Sequence, residues 1–527
     1  MPSFEETEDP AIRVREMGGR LLVAGGAARD FAIRQLFGAG RPFPDGGDLD
    51  LVVFGLDLEG VREALCPQGQ ARIVWRRDGG WDSTKTAMVQ VRRGGARLEA
   101  VTPRTARPGD GRGEPRPDPA GESPDGCGAV AFSEGALARD AELRDFTANA
   151  MYFDPLEGRL LDPLGGLNDV RRGFLAPCSA RALADDPVRM LRAMSLVARR
   201  PFAASRELLS MVRASAGLLG RASPERFWPE WKAMAESPRP HLGLAFLAES
   251  GLISRYPELD SLRGLKQHRN FHPEGSVWNH TVLVVQAMTR LDLPKGADRA
   301  ALVMTALLHD VGKTLAARRA APGPAGSGMV LYPDHAALGA PAASRFLKAM
   351  AAPERVAKAV SKLTARHMDS AFRKLSPGRL RWIARELAPE ADLSDFWAVA
   401  AADWNGRSPW PEKYPYSLEE FLEPVGGLAG PPRDLVTGGD LVCSFGVPEG
   451  PEVGRILRLV RSEHDEGRVD TREGALEFVA GLLRTGASGT AGPERPEAAS
   501  GAAAGRGAEQ ISDRARFSPL QEPAARS

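Results

Sequence analysis

The sequence predicts an α+β protein: an N-terminal head of mixed β-sheet and helices, then an all-α neck and body, then a further all-α domain. Three observations carry this. Residues 21–55 alternate apolar runs with a glycine turn, a helix-like segment and a loop. From residue 182 onward, apolar residues recur at helical rather than strand spacing. All eight histidines lie in that helical part, five of them at His272, His280, His309, His335 and His367. A chain of 527 residues exceeds one ordinary core, so several domains are expected.

In the head, Leu21 to Ala24 form an apolar run that turns at Gly25 and Gly26, and Ala27 to Phe37 read as a helix. A Gly/Pro loop leads to Asp48-Leu49-Asp50 and a second apolar run, Leu51 to Phe54. Side chains two apart on a strand share a face, so Asp48 and Asp50 project together. Two adjacent carboxylates repel, and a divalent cation relieves the repulsion. Glycines ahead of a helix let a phosphate reach the N–H groups at its start. Alone, GG is usually a turn and DxD a solvated strand end. In this order and spacing they point to phosphoryl or nucleotidyl transfer assisted by Mg²⁺.

Leu58 to Leu65 read as a helix, and Ile73–Trp75, Ala87–Val91 and Arg97–Val101 as short strands. The last carries Glu99, which is either a third carboxylate beside the aspartates or an edge-strand charge. Residues 104–127 are Pro, Gly, Asp and Arg and cannot bury a core, so they form a loop, either a lid or an inert insertion. Arg144, Asp145 and Asn149 stand near the start of a helix-like segment. Tyr152 to Asp162 read as a hairpin turning at Glu157-Gly158. Within residues 182–200, Val188, Leu191, Ser195 and Ala198 recur at helical spacing, with Asp185 as N-cap and Pro187 in the first turn. Asp186 and Arg189, three apart, share a face. The plain alternative for that couple is a surface ion pair of little worth.

Residues 201–265 look all-helical, two more helices lie in 276–318, and helices resume after the 319–330 loop to about Ala400. Adjacent His309 and Asp310 in the middle of an apolar helix need a partner for the buried charge. With His280 on an earlier helix and Asp403 on a later one they would complete a divalent metal site built on facing helices, the plain alternative being structural core histidines. His335 and His367 are secondary candidates for it. Further helices are expected at 451–466 and 472–484, ahead of a disordered tail. The domain boundaries expected are 1–175, 176–265, 266–410, 411–484 and 485–527.

Composition bounds the function. The hydrophobic share of 43% and charged share of 26% are ordinary for a soluble globular protein. With 69 basic and 68 acidic residues there is no global basic field, so contact with nucleic acid must use a local patch. The four cysteines, Cys66, Cys127, Cys178 and Cys443, form neither a CxxC pair nor a disulfide framework, which fits a reducing cytoplasm. The opening MPSFEETEDP is acidic, unlike a secretory signal, and no uninterrupted apolar stretch reaches bilayer length, so no membrane partner is expected.

The motifs in this order resemble the tRNA nucleotidyltransferase (CCA-adding) and bacterial poly(A) polymerase family, in its subgroup with an appended HD-type phosphohydrolase domain. They are GG…RD (Gly25, Gly26, Arg29, Asp30), the pair Asp48 and Asp50, RDFTxNA (Arg144, Asp145, Asn149) and the DDPxRxLRA helix. GLISRYPELD, the HPEG…WNHT…HDVGK…DHAALGA series, DWNGR and GGDLV…GVPEGPEVG follow, so the likeness runs from about Gly19 to Leu483.

The resemblance implies roles. Asp48 and Asp50 would hold two Mg²⁺ ions, with Glu99 as a possible third acid. Gly25, Gly26 and Arg29 would cradle the triphosphate of CTP or ATP, with Arg144, Asp145, Asn149 and Arg192 in the same nucleotide site. Asp186 and Arg189 would read the base. The partner would be a tRNA 3′ end, its acceptor arm along the helical body, with Arg171, Arg172, Arg199 and Arg200 as candidate phosphate contacts or, more ordinarily, solvated charges. The HD domain would carry a divalent transition metal.

Departures from the family pattern are GGAARD without its usual valine, Leu143 in place of an arginine, Asp185 for a glutamate, and the long 104–127 loop. That loop leaves CCA addition, CC-only addition, A-only addition and poly(A) synthesis as alternatives. A metal-dependent phosphohydrolase with an RNA-binding head is the alternative from another class.

Overall fold

The alternation at the front of the chain folds into a seven-stranded sheet. In this computed structural model the described residues are 9–37, 49–66, 71–77, 85–93, 96–104, 129–268, 272–317, 332–370, 375–407, 414–427 and 429–485. The strands are β1 (Arg20–Ala24), β2 (Leu49–Phe54), β3 (Arg72–Arg77), β4 (Lys85–Arg93), β5 (Ala96–Val101), β6 (Tyr152–Asp154) and β7 (Arg159–Leu161). They lie in the order β3-β4-β5-β2-β1-β6-β7, and only the β2–β5 pair is parallel. The β6–β7 hairpin turns where the sequence placed it. Asp48, most of the 104–127 loop, Cys127 and the tail lie outside the described residues.

Strand alternation gives the sheet two buried faces. Leu21, Val23, Leu51, Val53, Leu98 and Ala100 pack with helices α1 (Pro10–Glu16) and α3 (Leu58–Leu65), and with Phe31 of α2 (Gly25–Phe37). Leu22, Ala24, Val52, Phe54 and Tyr152 form the other face against α4 (Glu134–Glu142).

Two local expectations are corrected here. The helix-like segment holding Arg144, Asp145 and Asn149 is the turn after α4 plus a single 3-10 turn, Thr147–Asn149. The helix expected to start after an N-cap at Asp185 begins later. After α5 (Gly166–Arg172), helix α6 (Ala182–Asp185) ends and α7 (Arg189–Arg199) begins. Asp185 closes α6 instead of capping α7. The cause is Pro187, which pushes the residue before it out of the helical region, and Asp186 has φ −146° and ψ 99°.

The body continues through α8 (Arg206–Ser215), α9 (Phe227–Ala235), α10 (Pro240–Glu249) and α11 (Pro257–Asp260). It is not wholly helical, because Ala203–Ala204 (β9) pairs in parallel with Phe174–Leu175 (β8). Next come α12 (Val277–Met288), α13 (Arg299–Leu308), α14 (Lys313–Ala317), α15 (His335–Ala349), α16 (Glu354–Arg366), α17 (Pro377–Leu387), α18 (Leu393–Asn405) and α19 (Leu418–Leu422). One apolar core joins Phe146 and Met151 of the head to Trp231, Leu244, Trp278, Leu307, Phe346 and Phe396.

By length and composition the stretch Arg299–Ala317 suits a membrane crossing, yet most of it is buried in this core. His309, Asp310 and Lys313 interrupt it. His309 and Asp310 are not mid-helix, as the sequence suggested, but occupy the turn between α13 and α14.

The chain divides into two compact units, one running to Arg433 and including Asp465–Arg468, the other beginning at Asp434. The second holds α20 (Gly438–Phe445), most of α21 (Pro451–Asp465) and α22 (Arg472–Thr485), around Leu441, Ile456, Val460 and Val479.

Candidate active site and metal centre

Asp50 stands near the start of β2, directly against the turn that opens α2. Gly25 has φ +66°, and a Cβ there would come within 2.7 Å of Asp50 Oδ2. The backbone angle favours glycine, and a Cβ there would press the Asp50 carboxylate aside. Asp50 and Glu99 are register partners across the parallel β2–β5 pair, so the structure brings them together. Glu99 is not at a sheet edge, since β5 lies between β4 and β2. It is buried, accepts a hydrogen bond from Gln90 Nε2 at 3.1 Å and lies 2.8 Å from Arg97 Nη2.

Behind that turn runs a chain of charged groups. The buried Arg29 donates from Nη1 to Asn149 Oδ1 at 2.6 Å and from Nε and Nη2 to Asp30 Oδ1 at 3.0 and 2.9 Å. Asp30 Oδ2 accepts from Arg200 at 2.7 Å. Asn149 donates to Asp145 Oδ1 at 3.1 Å, and Asp145 Oδ2 lies 3.3 Å from Arg192 Nη1. Arg192 Nε donates to Glu230 Oε1 at 3.0 Å. One continuous network therefore ties α2, the 145–149 turn, α7 and α9. Burial alone would raise the Asp145 pKa, but Arg192 and Arg189 outweigh it and hold the carboxyl below its usual range.

Arg144 is placed differently. Its Nε donates to Asp140 Oδ2 and Tyr152 Oη, both at 2.9 Å. Tyr152 donates to the same Asp140 oxygen at 2.5 Å, and Arg104 N donates to Asp140 Oδ1 at 2.8 Å. Asp140 is fully buried. Burial pushes its pKa up, and Arg144 with Arg104 more than reverse that. Arg144 thus clamps α4 to β6.

Asp186 and Arg189 are neighbours, but not as a tight pair. Their nearest approach is 3.9 Å, Arg189 Nε to Asp186 Oδ2. Arg189 instead donates to three backbone carbonyls, Leu143 at 2.7 Å, Arg144 at 3.0 Å and Ala182 at 3.1 Å. Asp186 accepts from Arg226 Nη1 at 2.9 Å and Nη2 at 2.7 Å. Arg171 and Arg172 are exposed, and Arg199 donates to Ser195 Oγ at 3.2 Å.

The six histidine-region candidates converge. His280 (α12) has Nε2 3.0 Å from Asp403 Oδ1 (α18) and Nδ1 2.8 Å from Glu274 Oε1. His309 Nε2 is 3.2 Å from Asp310 Oδ2, and Asp310 Oδ1 lies 3.4 Å from His335 Nε2 and 3.8 Å from His367 Nε2. His309, His335 and His367 pair Nδ1 with the carbonyls of Ala306, Tyr332 and Thr364 at 2.9, 2.8 and 2.7 Å. A carbonyl only accepts, so Nδ1 carries the proton and each Nε2 turns a lone pair inward.

Two of those lone pairs, on His335 and His367, face each other at 3.2 Å. That arrangement fits a cation. His280, His309 and Asp310, and separately Asp310, His335 and His367, are spaced to hold an ion. Burial leads in pushing His367 down to about 3, helped by the charges of His309 and His335. Burial would raise Asp310, but His309 and Lys313 hold it well below the carboxylate range. The backbone at Gly312 approaches so closely that a Cβ would overlap His335 O.

Sequence reasoning missed Asp140, Tyr152, Arg226, Glu230, Glu274 and Lys313 as members of these sites. Lys313 donates to Asp310 Oδ2 and Gln267 Oε1, both at 2.6 Å. Glu274 and Lys313 lay inside quoted motifs, so their signal was present. Arg226 is forty residues from Asp186 and had no local signal.

Residues 21–176 match the poly A polymerase head domain and residues 277–404 the HD domain. The CC-adding tRNA nucleotidyltransferase of Thermus thermophilus is 33% identical over 376 residues, covering 69% of this chain and 82% of that protein. The chain belongs to the tRNA nucleotidyltransferase family. It is an enzyme of the nucleotidyltransferase class with an HD domain. A multifunctional CCA protein of Halorhodospira halophila is 32% identical, covering 63% of this chain and 77% of its own length. The fold agrees with the Bacillus stearothermophilus CCA-adding enzyme in complex with CTP, with a TM-score of 0.57 and 21% identity over 92% of this chain and 100% of that one.

Proposed function

We propose that this tRNA nucleotidyltransferase extends the tRNA 3′ end with C and A nucleotides from CTP and ATP, without a nucleic-acid template. The observation that supports this most is the Gly25 turn resting on Asp50 Oδ2, with the arginine network behind it. Asp48 and Asp50 would hold Mg²⁺, which when bound favours attack of the 3′-hydroxyl on the α-phosphate and departure of pyrophosphate. Gly25 and Gly26 would leave room for phosphate at the start of α2, and Arg29 and Arg192 would supply positive charge to it, each backed by a carboxylate.

Asp186 and Arg189 read the base. A carboxylate accepts from the amine of C or A while a guanidinium donates to the adjacent ring nitrogen. In the orientation of C or A, U and G present a carbonyl to the carboxylate, and leaving that group unpaired costs about 1–3 kcal/mol.

Incorporation on tRNA transcripts lacking CCA tests the reading, with CTP and ATP supplied singly and together. CTP addition followed by ATP addition, lost in Asp50→Asn, is the expected result. A stop after two cytidines would assign the activity of the Thermus relative. Adenosine tails on unrelated RNA would assign poly(A) synthesis, and addition only to a CC end would assign A-addition.

For the HD domain we propose phosphate-ester hydrolysis. His280, His309, Asp310 and Asp403 would hold one divalent transition metal, and Asp310, His335 and His367 form the adjoining ligand group. A metal there supplies Lewis-acid polarisation of a phosphate oxygen. Glu274 orients His280, and Lys313 balances the charge of Asp310. Metal content of His309→Ala against the parent, with phosphatase assays alongside, tests this. Phosphatase activity without any nucleotide incorporation would favour a hydrolase whose head only binds RNA. None of the three described cysteines, Cys66, Cys178 and Cys443, is in a disulfide, which supports a cytoplasmic setting.

A further inference from the structure

Arg226 takes no part in the roles above, and we propose that it is a specificity-determining positioning residue: it fills the base-reading carboxylate so that Asp186 keeps a single open acceptor and guanine is refused. The inference rests on the reading of Asp186 and Arg189 as the base-contacting pair.

A carboxylate offers about four lone-pair positions. Arg226 Nη1 takes one on Oδ1 at 2.9 Å, and Nη2 takes one on Oδ2 at 2.7 Å. The backbone N–H of Val188 takes the second position on Oδ1 at 3.2 Å. Among the described residues, one position on Oδ2 is left. Beside it lies Arg189 Nε, 3.9 Å from Oδ2 and too far to use it. The Arg189 terminal nitrogens are committed to the carbonyls of Leu143, Arg144 and Ala182, which leaves Nε facing Asp186. The site therefore shows one acceptor next to one donor.

Cytosine and adenine each present one amine donor next to one ring-nitrogen acceptor, which is the complement of that pair. Guanine presents two donors side by side, its ring N–H and its 2-amino group. An unfilled carboxylate would accept both at once, as it accepts a bidentate arginine. With Arg226 in place, only one can be accepted and the second faces Arg189, donor against donor. Arg226 sits on the single 3-10 turn Pro224–Arg226 ahead of α9, and Asp186 on the break ahead of α7. The packing of the two helices sets how the carboxylate is filled.

The test uses the full chain, a tRNA transcript ending before CCA and each nucleotide alone, comparing the parent with Arg226→Gln and Arg226→Lys. Arg226→Gln is expected to raise the GTP-to-CTP ratio of kcat/KM about tenfold or more, chiefly through KM, because Arg226 touches no reacting atom. Arg226→Lys, which fills one oxygen, is expected to shift the ratio less. Thermal melting is measured alongside. A merely structural role lowers the melting temperature and total activity but leaves the ratio unchanged. An unchanged ratio in either folded variant overturns the proposal, and if the Gln variant does not fold, the Lys variant decides. If the parent discriminates and Asp186→Asn discriminates equally well, the base-reading assignment itself fails instead.

Discussion

Gly25 and Asp140 show how much single residues decide here. Gly25 combines φ +66° with a 2.7 Å approach to the Asp50 carboxylate, so Gly25→Ala strains the turn and displaces a proposed metal ligand together. Incorporation should fall about 10²-fold, since a shift of about 1 Å at a reacting centre has that effect. Steady-state rates measured on folded protein check this.

Asp140 is the fully buried acceptor for Arg144, Tyr152 and Arg104. Asp140→Asn leaves Arg144 inadequately paired and should cost about 3–5 kcal/mol. Its folded pKa is lowered, because Arg144 and Arg104 outweigh the burial that would raise it. Its contribution is therefore fully present above the unfolded value of about 3.9 and is lost as pH falls through the folded value. Urea unfolding of parent and variant between neutral and acid pH should converge at the acid end. A constant gap would show that the Asp140 charge is not the source. Asp140 went unnoticed in the sequence because an acid within a helical stretch looks solvated until its burial is known.

At the scale of elements, breaks between helices matter more than the helices. The break at Asp186-Pro187 turns the carboxylate toward Arg226, and the turn between α13 and α14 puts His309 and Asp310 at the centre of four other metal-site candidates. Gly312 makes that turn possible by letting the backbone press against His335 O. Gly312→Ala should destabilise the chain by about 1–3 kcal/mol through overpacking and reduce bound divalent metal. Denaturant midpoints and metal content together check this, and normal metal content in a destabilised variant would count against the α14–α15 contact as the organiser of the site. Sequence periodicity located the longer helices of the body, because the apolar stripe is written locally, but not the short α1, α4, α5, α19 and α20. It set the start of α7 too early and ran α13 through His309, because these ends depend on one proline and one close backbone approach.

For the whole molecule, the core running from Phe146 through Trp231 to Phe396 has no seam at the expected HD boundary. Trp231 and Phe346 stack edge-on at 5.7 Å across it. A fragment of residues 266–433 should therefore expose this apolar surface and fail to unfold cooperatively, which calorimetry would detect. Chemistry should separate even where stability does not. His309→Ala should lose HD-site metal while CTP incorporation stays within a few-fold of the parent, because no hydrogen bond described above joins the histidine cluster to the Arg29–Arg192 network. Parallel loss of both activities would contradict that separation.

Short-range pattern was enough to establish the α+β order, the glycine turn and the helical body, and to single out the histidines that the structure brings together. These signals depend on spacing within a few residues, and backbone geometry converts such spacing directly into faces and turns. Only the tertiary structure decided that Arg226 fills Asp186, that Arg144 pairs with Asp140, and that Glu230 backs Arg192. Each of those is a charge finding its nearest opposite across a packed interface, and which charges meet there is set by how the helices and sheet are buried against one another.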